Sequence, residues 1–239
     1  MSRLRHVPGP VALIGADFSP ATPDLDRELL AATGRPRPRV VIVATAPSRP
    51  DDPAGRTVEL SVAHYMALGA EVEPILLPEL AAEVDDAALQ AIGEADVVYL
   101  ADGRSGRLRS MVAGTPLGPV IVAAHRRGAV LVGCSGGAGV LAAGQPELRA
   151  RVLPWPVRWR LTLGLLPQAI VLPNYDRLPE PVAAFLALQA PRGWAVLGID
   201  ACTAIVGRDG AWQVHGPARV TVWRGRHRRR YRRGDIFRI

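Results

Sequence analysis

Gly133-Cys134-Ser135-Gly136-Gly137 is the stretch of this chain whose residue types and spacing could do chemistry. An apolar run, Val130-Leu131-Val132, leads into it, and a small-residue segment, Ala138-Gly139-Val140-Leu141, leads out. This is G-x-S-x-G in the strand–turn–helix setting that a nucleophile elbow requires. In such a turn the serine is presented as a nucleophile, and the glycines admit strained backbone and close packing. The N–H groups and positive dipole end of the following helix face a developing oxyanion. The same pattern also fits a glycine-rich turn that merely permits tight packing or holds an anion. Cys134 is a second nucleophilic residue type, but it precedes the central position of the turn.

The elements that would position this turn read as an alternation of strands and helices. Strand-like runs, most of them continuously apolar, begin at Val11, Arg39, Glu71, Asp96 and Ala129, and helical patterns cover 24–33, 55–69, 84–92, 105–113 and 117–127. Strands that are apolar throughout are buried on both faces, so the alternation predicts a parallel sheet covered on both sides. Pro74 places the third strand near an edge. After about residue 195 the pattern changes to short strands, 195–200, 203–206, 211–215 and 219–223, with Arg208-Asp209-Gly210 as a turn. The expected fold class is α/β, a three-layer α/β/α sandwich with a mainly parallel sheet and C-terminal antiparallel hairpins closing one side. The expected organisation is one domain over residues 1–239.

Composition narrows the function classes. The 239 residues hold 49% hydrophobic side chains, two cysteines and no run that reads as a transmembrane helix. Nor does the N-terminus have the apolar core of a signal peptide. The expectation is a cytoplasmic protein without a disulfide framework, metal cluster or cofactor. All 29 basic residues are arginine, and the net charge of +7 is unevenly placed. Arg224 to Arg238 holds eight arginines against Asp235, so this segment alone accounts for the net charge.

The segment around Ser135 resembles the Gly-Thr-Ser-Ala-Gly-Ala elbow of the cyanophycinase and dipeptidase E serine peptidases, within the class I glutamine-amidotransferase-like fold. Val41-Ile42-Val43-Ala44-Thr45-Ala46 resembles the second strand of that family, and Tyr65-Met66-Ala67-Leu68-Gly69 the end of its next helix. Ala95 to Leu100 and Ala113 to Leu117 flank the place of its Gly-Gly-Asn/Asp-Gln loop, and Gly164-Leu165-Leu166-Pro167 and Leu197-Gly198-Ile199-Asp200 recur downstream. The resemblance covers nearly the whole chain. It implies Ser135 as the nucleophile-equivalent and Gly103 and Gly136 as oxyanion donors.

The same resemblance exposes departures. The family's Asp-x-His-Phe, which carries the general base, is matched by Leu172-Pro173-Asn174-Tyr175, so Asn174 stands at the histidine position. An amide cannot accept the serine proton near neutral pH. The family's Gly-Ile-Asp-Glu is matched by Gly198-Ile199-Asp200-Ala201, so Ala201 stands at the acid position, and the Gly-Gly-Asn/Asp-Gln loop has become Asp102-Gly103-Arg104-Ser105. Loss of the base alone lowers turnover in a serine protease by about a millionfold. Backbone oxyanion donors and binding leave about 10³–10⁴-fold over water. The leading expectation is therefore a catalytically impaired family member that keeps a peptide or small-carboxylate site, with Arg104, Asp176 and Asp200 beside it. The alternative is an active serine hydrolase on short or isoaspartyl-type peptides with a remodelled triad, its base drawn from His6, His64, His125, His215, His227 or a carboxylate.

A third reading rests on the arginine segment, which could contact nucleic acid or an acidic partner; a solvated hairpin is the plainer account. Trp155 and Trp159 bracket a proline-rich loop that could serve as a lid, a packing element or a subunit contact, and a homodimer is compatible with them.

Overall fold

The continuously apolar runs become the inner strands, because each is covered on both faces. The computed structural model describes residues 7–16, 23–46, 53–77, 84–101, 105–147, 156–208 and 210–239. In chain order its first half comprises β1 (Val11–Ile14), α1 (Pro23–Ala31), β2 (Arg39–Thr45), α2 (Pro53–Ala67), β3 (Glu71–Leu77), α3 (Asp86–Glu94), β4 (Val97–Leu100), α4 (Ser105–Gly114), α5 (Leu117–Arg127), β5 (Val130–Cys134) and α6 (Gly136–Leu141). The second half comprises β6 (Gly144–Pro146), β7 (Trp159–Leu161), β8 (Ala169–Pro173), a 3-10 turn (Tyr175–Arg177), α7 (Glu180–Gln189), β9 (Ala195–Ile199), β10 (Ala204–Arg208), β11 (Ala211–His215), β12 (Arg219–Arg224), β13 (His227–Arg232) and β14 (Ile236–Arg238).

The first sheet runs β14-β11-β10-β1-β5-β4-β2-β3. Its five strands from β1 to β3 are parallel, and β10, β11 and β14 extend it antiparallel beyond β1. Pro74 lies on β3, the edge strand, as its missing N–H demands. Alternate residues of the central strands divide between two cores. Ala12, Ile42, Tyr99 and Val132 pack with Leu25, Leu29 and Tyr65 of α1 and α2. Leu13, Val43, Leu100 and Leu131 pack with α3, α4, α5 and α6 on the other side. The chain is thus an α/β sandwich, as its sequence predicts.

The strands after residue 195 do not all close one side of that sheet. They divide, and β9, β12 and β13 enter a second sheet in the order β13-β12-β9-β8-β6-β7. In it β9 pairs parallel with β8 and antiparallel with β12. One face of this sheet, with Ala169, Val171, Leu197 and Val222, shares the core under α6. The other, with Ile170, Leu172, Val196 and Trp223, is covered by Leu186 and Ala187 of α7. The parallel ends of β5, β8 and β9 consequently lie close together, and that is where the site forms. Trp159 packs against this third core and donates its indole N–H to the Gln189 carbonyl at 2.8 Å, a packing role; Trp155 lies outside the described residues. Among the described residues no helix is long and apolar enough to cross a membrane.

Candidate active site

Ser135 follows β5 directly and caps α6 with φ 50° and ψ −111°. Few non-glycine residues adopt such a backbone, and holding it stores about 1–3 kcal/mol. Three hydrogen bonds hold it: the Ser135 N–H donates to the Ile14 carbonyl at 2.9 Å, and the Ser135 carbonyl accepts from Ala138 at 3.1 Å and Gly139 at 3.4 Å. Two glycines are needed for close approach. A Cβ on Gly133 would stand 2.8 Å from the Ala138 backbone, and one on Gly137 would overlap the Leu100 carbonyl. The strand–turn–helix geometry around Ser135 is therefore present, and Ser135 is 7% exposed at its apex.

Asn174 follows β8 in the left-handed region, φ 50° and ψ 41°, a conformation that asparagine and histidine both tolerate better than most residues. Its N–H donates to the Gly15 carbonyl at 3.0 Å, tying the end of β8 to the end of β1. Tyr175 secures the turn: its ring lies flush on Gly198, where any Cβ would overlap it, and its hydroxyl accepts the Trp223 indole N–H at 2.8 Å. Asn174 Oδ1 is buried with no hydrogen-bond partner among the described residues.

Ser135, Gly136 and Asn174 line one cavity of about 540 Å3, together with Arg109, Gln145 and Glu147. The Arg109 guanidinium makes no ion pair among the described residues, while Glu147 is held by Arg160 at 3.0 Å. Gln145, which sequence reasoning did not single out, is 7% exposed and donates from Nε2 to the Gly136 carbonyl at 3.3 Å. It fills the space left by Gly139, where a Cβ would overlap its amide. The available signal was a lone amide between Ala142-Ala143-Gly144 and Pro146. Gly103 and Arg104 lie outside the described residues, although Gly106 and Arg109 of the helix that follows reach the cavity.

Ala201, Asp176 and Asp200 form a cluster beside Asn174 and do not line the cavity. Asp176 Oδ1 accepts the Ala201 N–H at 2.7 Å. Asp200 is 3% exposed; Oδ2 accepts from Arg219 Nε at 3.2 Å and Oδ1 has no partner among the described residues. Burial pushes its carboxyl up from the usual 3.8, Arg219 opposing and Asp176 reinforcing the shift.

The histidines lie elsewhere. His64 Nε2 stands 3.0 Å from the buried Asp26 carboxylate, whose other oxygen accepts the Tyr65 hydroxyl at 2.9 Å. His125 lines a separate cavity of about 420 Å3, with Trp212, Arg208 and Arg224. His215 is on β11 and His227 is exposed on β13. None of these four lines the Ser135 cavity, and His6 is outside the described residues. Among the described residues no cluster of His, Cys, Asp or Glu could hold a metal ion. The cavity combines the hydroxyl of a strained serine, amide donors and acceptors, and the guanidinium of Arg109, which is unpaired among the described residues. It can hold a ligand with an N–H donor and an anionic group, but it offers the hydroxyl no imidazole.

Solved structures bear the same architecture. A peptidase from an acI-B1 Actinobacterium is 23% identical over 98% of both chains, with a TM-score of 0.84. A candidate peptidase E from Listeria monocytogenes EGD-e is 15% identical, covering 89% of this chain and 100% of its own, with a TM-score of 0.61. At these identities the likeness is one of fold. None of the curated proteins matches. The family model of peptidase family S51 matches residues 12–214, from β1 through β11 and thus across the elbow, Asn174 and Ala201, and the chain belongs to that family.

Proposed function

We propose that this S51 chain is a peptidase-fold binding protein with impaired hydrolysis, its cavity retaining affinity for a short peptide or small carboxylate. The observation that carries this reading is the pairing of Ser135 with Asn174 on one cavity that no histidine of the described residues lines. Asn174 can accept a hydrogen bond from a ligand amide or ammonium, because its buried Oδ1 has no partner among the described residues. It cannot serve as a general base. Glu147, the carboxylate on the cavity wall, is held by Arg160. Arg109 supplies a charge for an anionic group.

A second reading, an active serine hydrolase with a remodelled triad, is favoured by the strain retained at Ser135, which a purely structural turn would not need. A fluorophosphonate probe separates the two. The binding-protein reading expects no stoichiometric labelling at neutral pH. Stoichiometric labelling of the wild type that disappears in Ser135→Ala would overturn it in favour of the hydrolase.

A further inference from the structure

The arginine segment forms the β12–β13 hairpin, and β13 is an edge strand of the second sheet. The hairpin turns through two residues, Gly225 and Arg226, with Gly225 at φ 58°, as a tight turn with glycine first requires. In such a hairpin the flanking pair, Arg224 and His227, is hydrogen-bonded, and pairs alternate from there. His227, Arg229 and Tyr231 therefore direct their backbone groups at β12. Arg228, Arg230 and Arg232 direct theirs outward. Arg232 fits this: its N–H is taken by Asp235 Oδ2 at 2.8 Å and its carbonyl by the Asp235 N–H at 2.9 Å. The open edge is thus the N–H and C=O groups of Arg228 and Arg230.

Side chains decide what this edge can accept. Arg228 and Arg230 lie on the face toward α7, where both pair with Glu180 and Arg228 also covers the Trp223 ring at 5.4 Å. Tyr231 lies on the opposite face, stacked on Phe237 at 4.7 Å, so Arg229 is on that face too. Arg226, Arg229, Arg232 and Arg233 are exposed, and none makes an ion pair or side-chain hydrogen bond among the described residues. Asp235, the segment's acid, is occupied with the Arg232 backbone.

From this geometry we infer that the β13 edge is a docking site for an extended acidic peptide segment of a partner, added as a further strand beside Arg228 and Arg230. A strand along the edge presents carboxylates to both faces, and both faces carry arginine; cross-strand neighbours stand about 5 Å apart, close enough for charge-assisted pairs. A second copy of this chain does not fit, because two rows of arginine would oppose one another. Nucleic acid fits less well: the arginines are split between two faces, and the nearby aromatic rings, Trp223 and Tyr231, are covered, leaving no platform for a base. The site is independent of the Ser135 cavity and of what that cavity does.

The test uses the whole protein and three labelled probes at about 50 mM salt, where surface charge is weakly screened: octaglutamate, octaglutamate methylated on every amide nitrogen, and an eight-residue oligothymidylate. Full methylation keeps the charge and removes strand pairing. Backbone pairing at two residues is expected to make octaglutamate bind at least about tenfold tighter than either other probe. Arg229→Glu with Arg232→Glu should weaken it by a similar factor while leaving the melting temperature unchanged. The inference is overturned if octaglutamate does not bind, or if its advantage over the methylated peptide or the oligothymidylate falls below that factor. It is equally overturned if the double variant binds as the wild type does. The peptide comparison is made on the unaltered protein, so it stands even where the variant fails to fold.

Discussion

The two walls of the Ser135 cavity are built by different rules. On the elbow side, scaffold and chemistry reside in the same residues: the backbone strain sits on Ser135 itself, and Gly133 and Gly137 permit the turn by lacking a Cβ. On the facing side they are separate. The turn after β8 is held by the Asn174 N–H, the Gly15 carbonyl and the Tyr175 ring on Gly198, and none of these depends on which side chain stands at 174 or 201. One wall cannot lose its chemistry without losing its shape. The other can exchange a side chain and keep its backbone: it presents the Asn174 amide to the cavity, with Ala201 outside the lining, where the family resemblance implies a base and an acid.

The largest expected effect tests the elbow side. Gly137→Ala drives a methyl into the Leu100 carbonyl, a contact between two backbones that side-chain rotation cannot relieve. A loss of about 3 kcal/mol or more is expected in denaturant unfolding, at the upper end for overpacking; a loss below about 1 kcal/mol would mean that the elbow tolerates a Cβ and that the contrast between the walls is false. On the other wall, Asn174→His with Ala201→Glu should fold normally, because histidine also accepts the left-handed backbone at 174. A positioned base is worth at least about a hundredfold, so fluorophosphonate labelling should accelerate by about that factor, and no acceleration would show that the wall has lost shape as well as chemistry. The smallest effect measures the strain directly. Ser135→Gly relieves the positive φ and should raise unfolding free energy by about 1 kcal/mol over Ser135→Ala, which keeps the strain; equal stabilities would show the turn to be unstrained.

Much of this was legible in the sequence, and the gaps have physical causes. The five parallel strands and the helices α1 to α5 could be read because Val11–Ile14, Arg39–Thr45 and their partners are apolar runs separated by helical patterns. The second sheet was obscured: β6 and β7 are three residues long, too short for any period to register, and α7 is apolar around most of its circumference. The division of the late strands between two sheets is a long-range pairing choice that no local pattern encodes. Ser135 was legible through its motif, and Asn174 through the family resemblance alone. Gln145 was not, because a single amide has no pattern, and neither was the Glu147–Arg160 pair, whose members are thirteen residues apart.

Trp223 stands between the turn that carries Asn174 and the edge strand. Its ring nitrogen donates to Tyr175, the residue next to Asn174, while its face carries Arg228 of β13. A single indole thus braces both the turn after β8 and the β13 strand. Loss of that ring would remove the anchor of the turn and the support of the strand in one step.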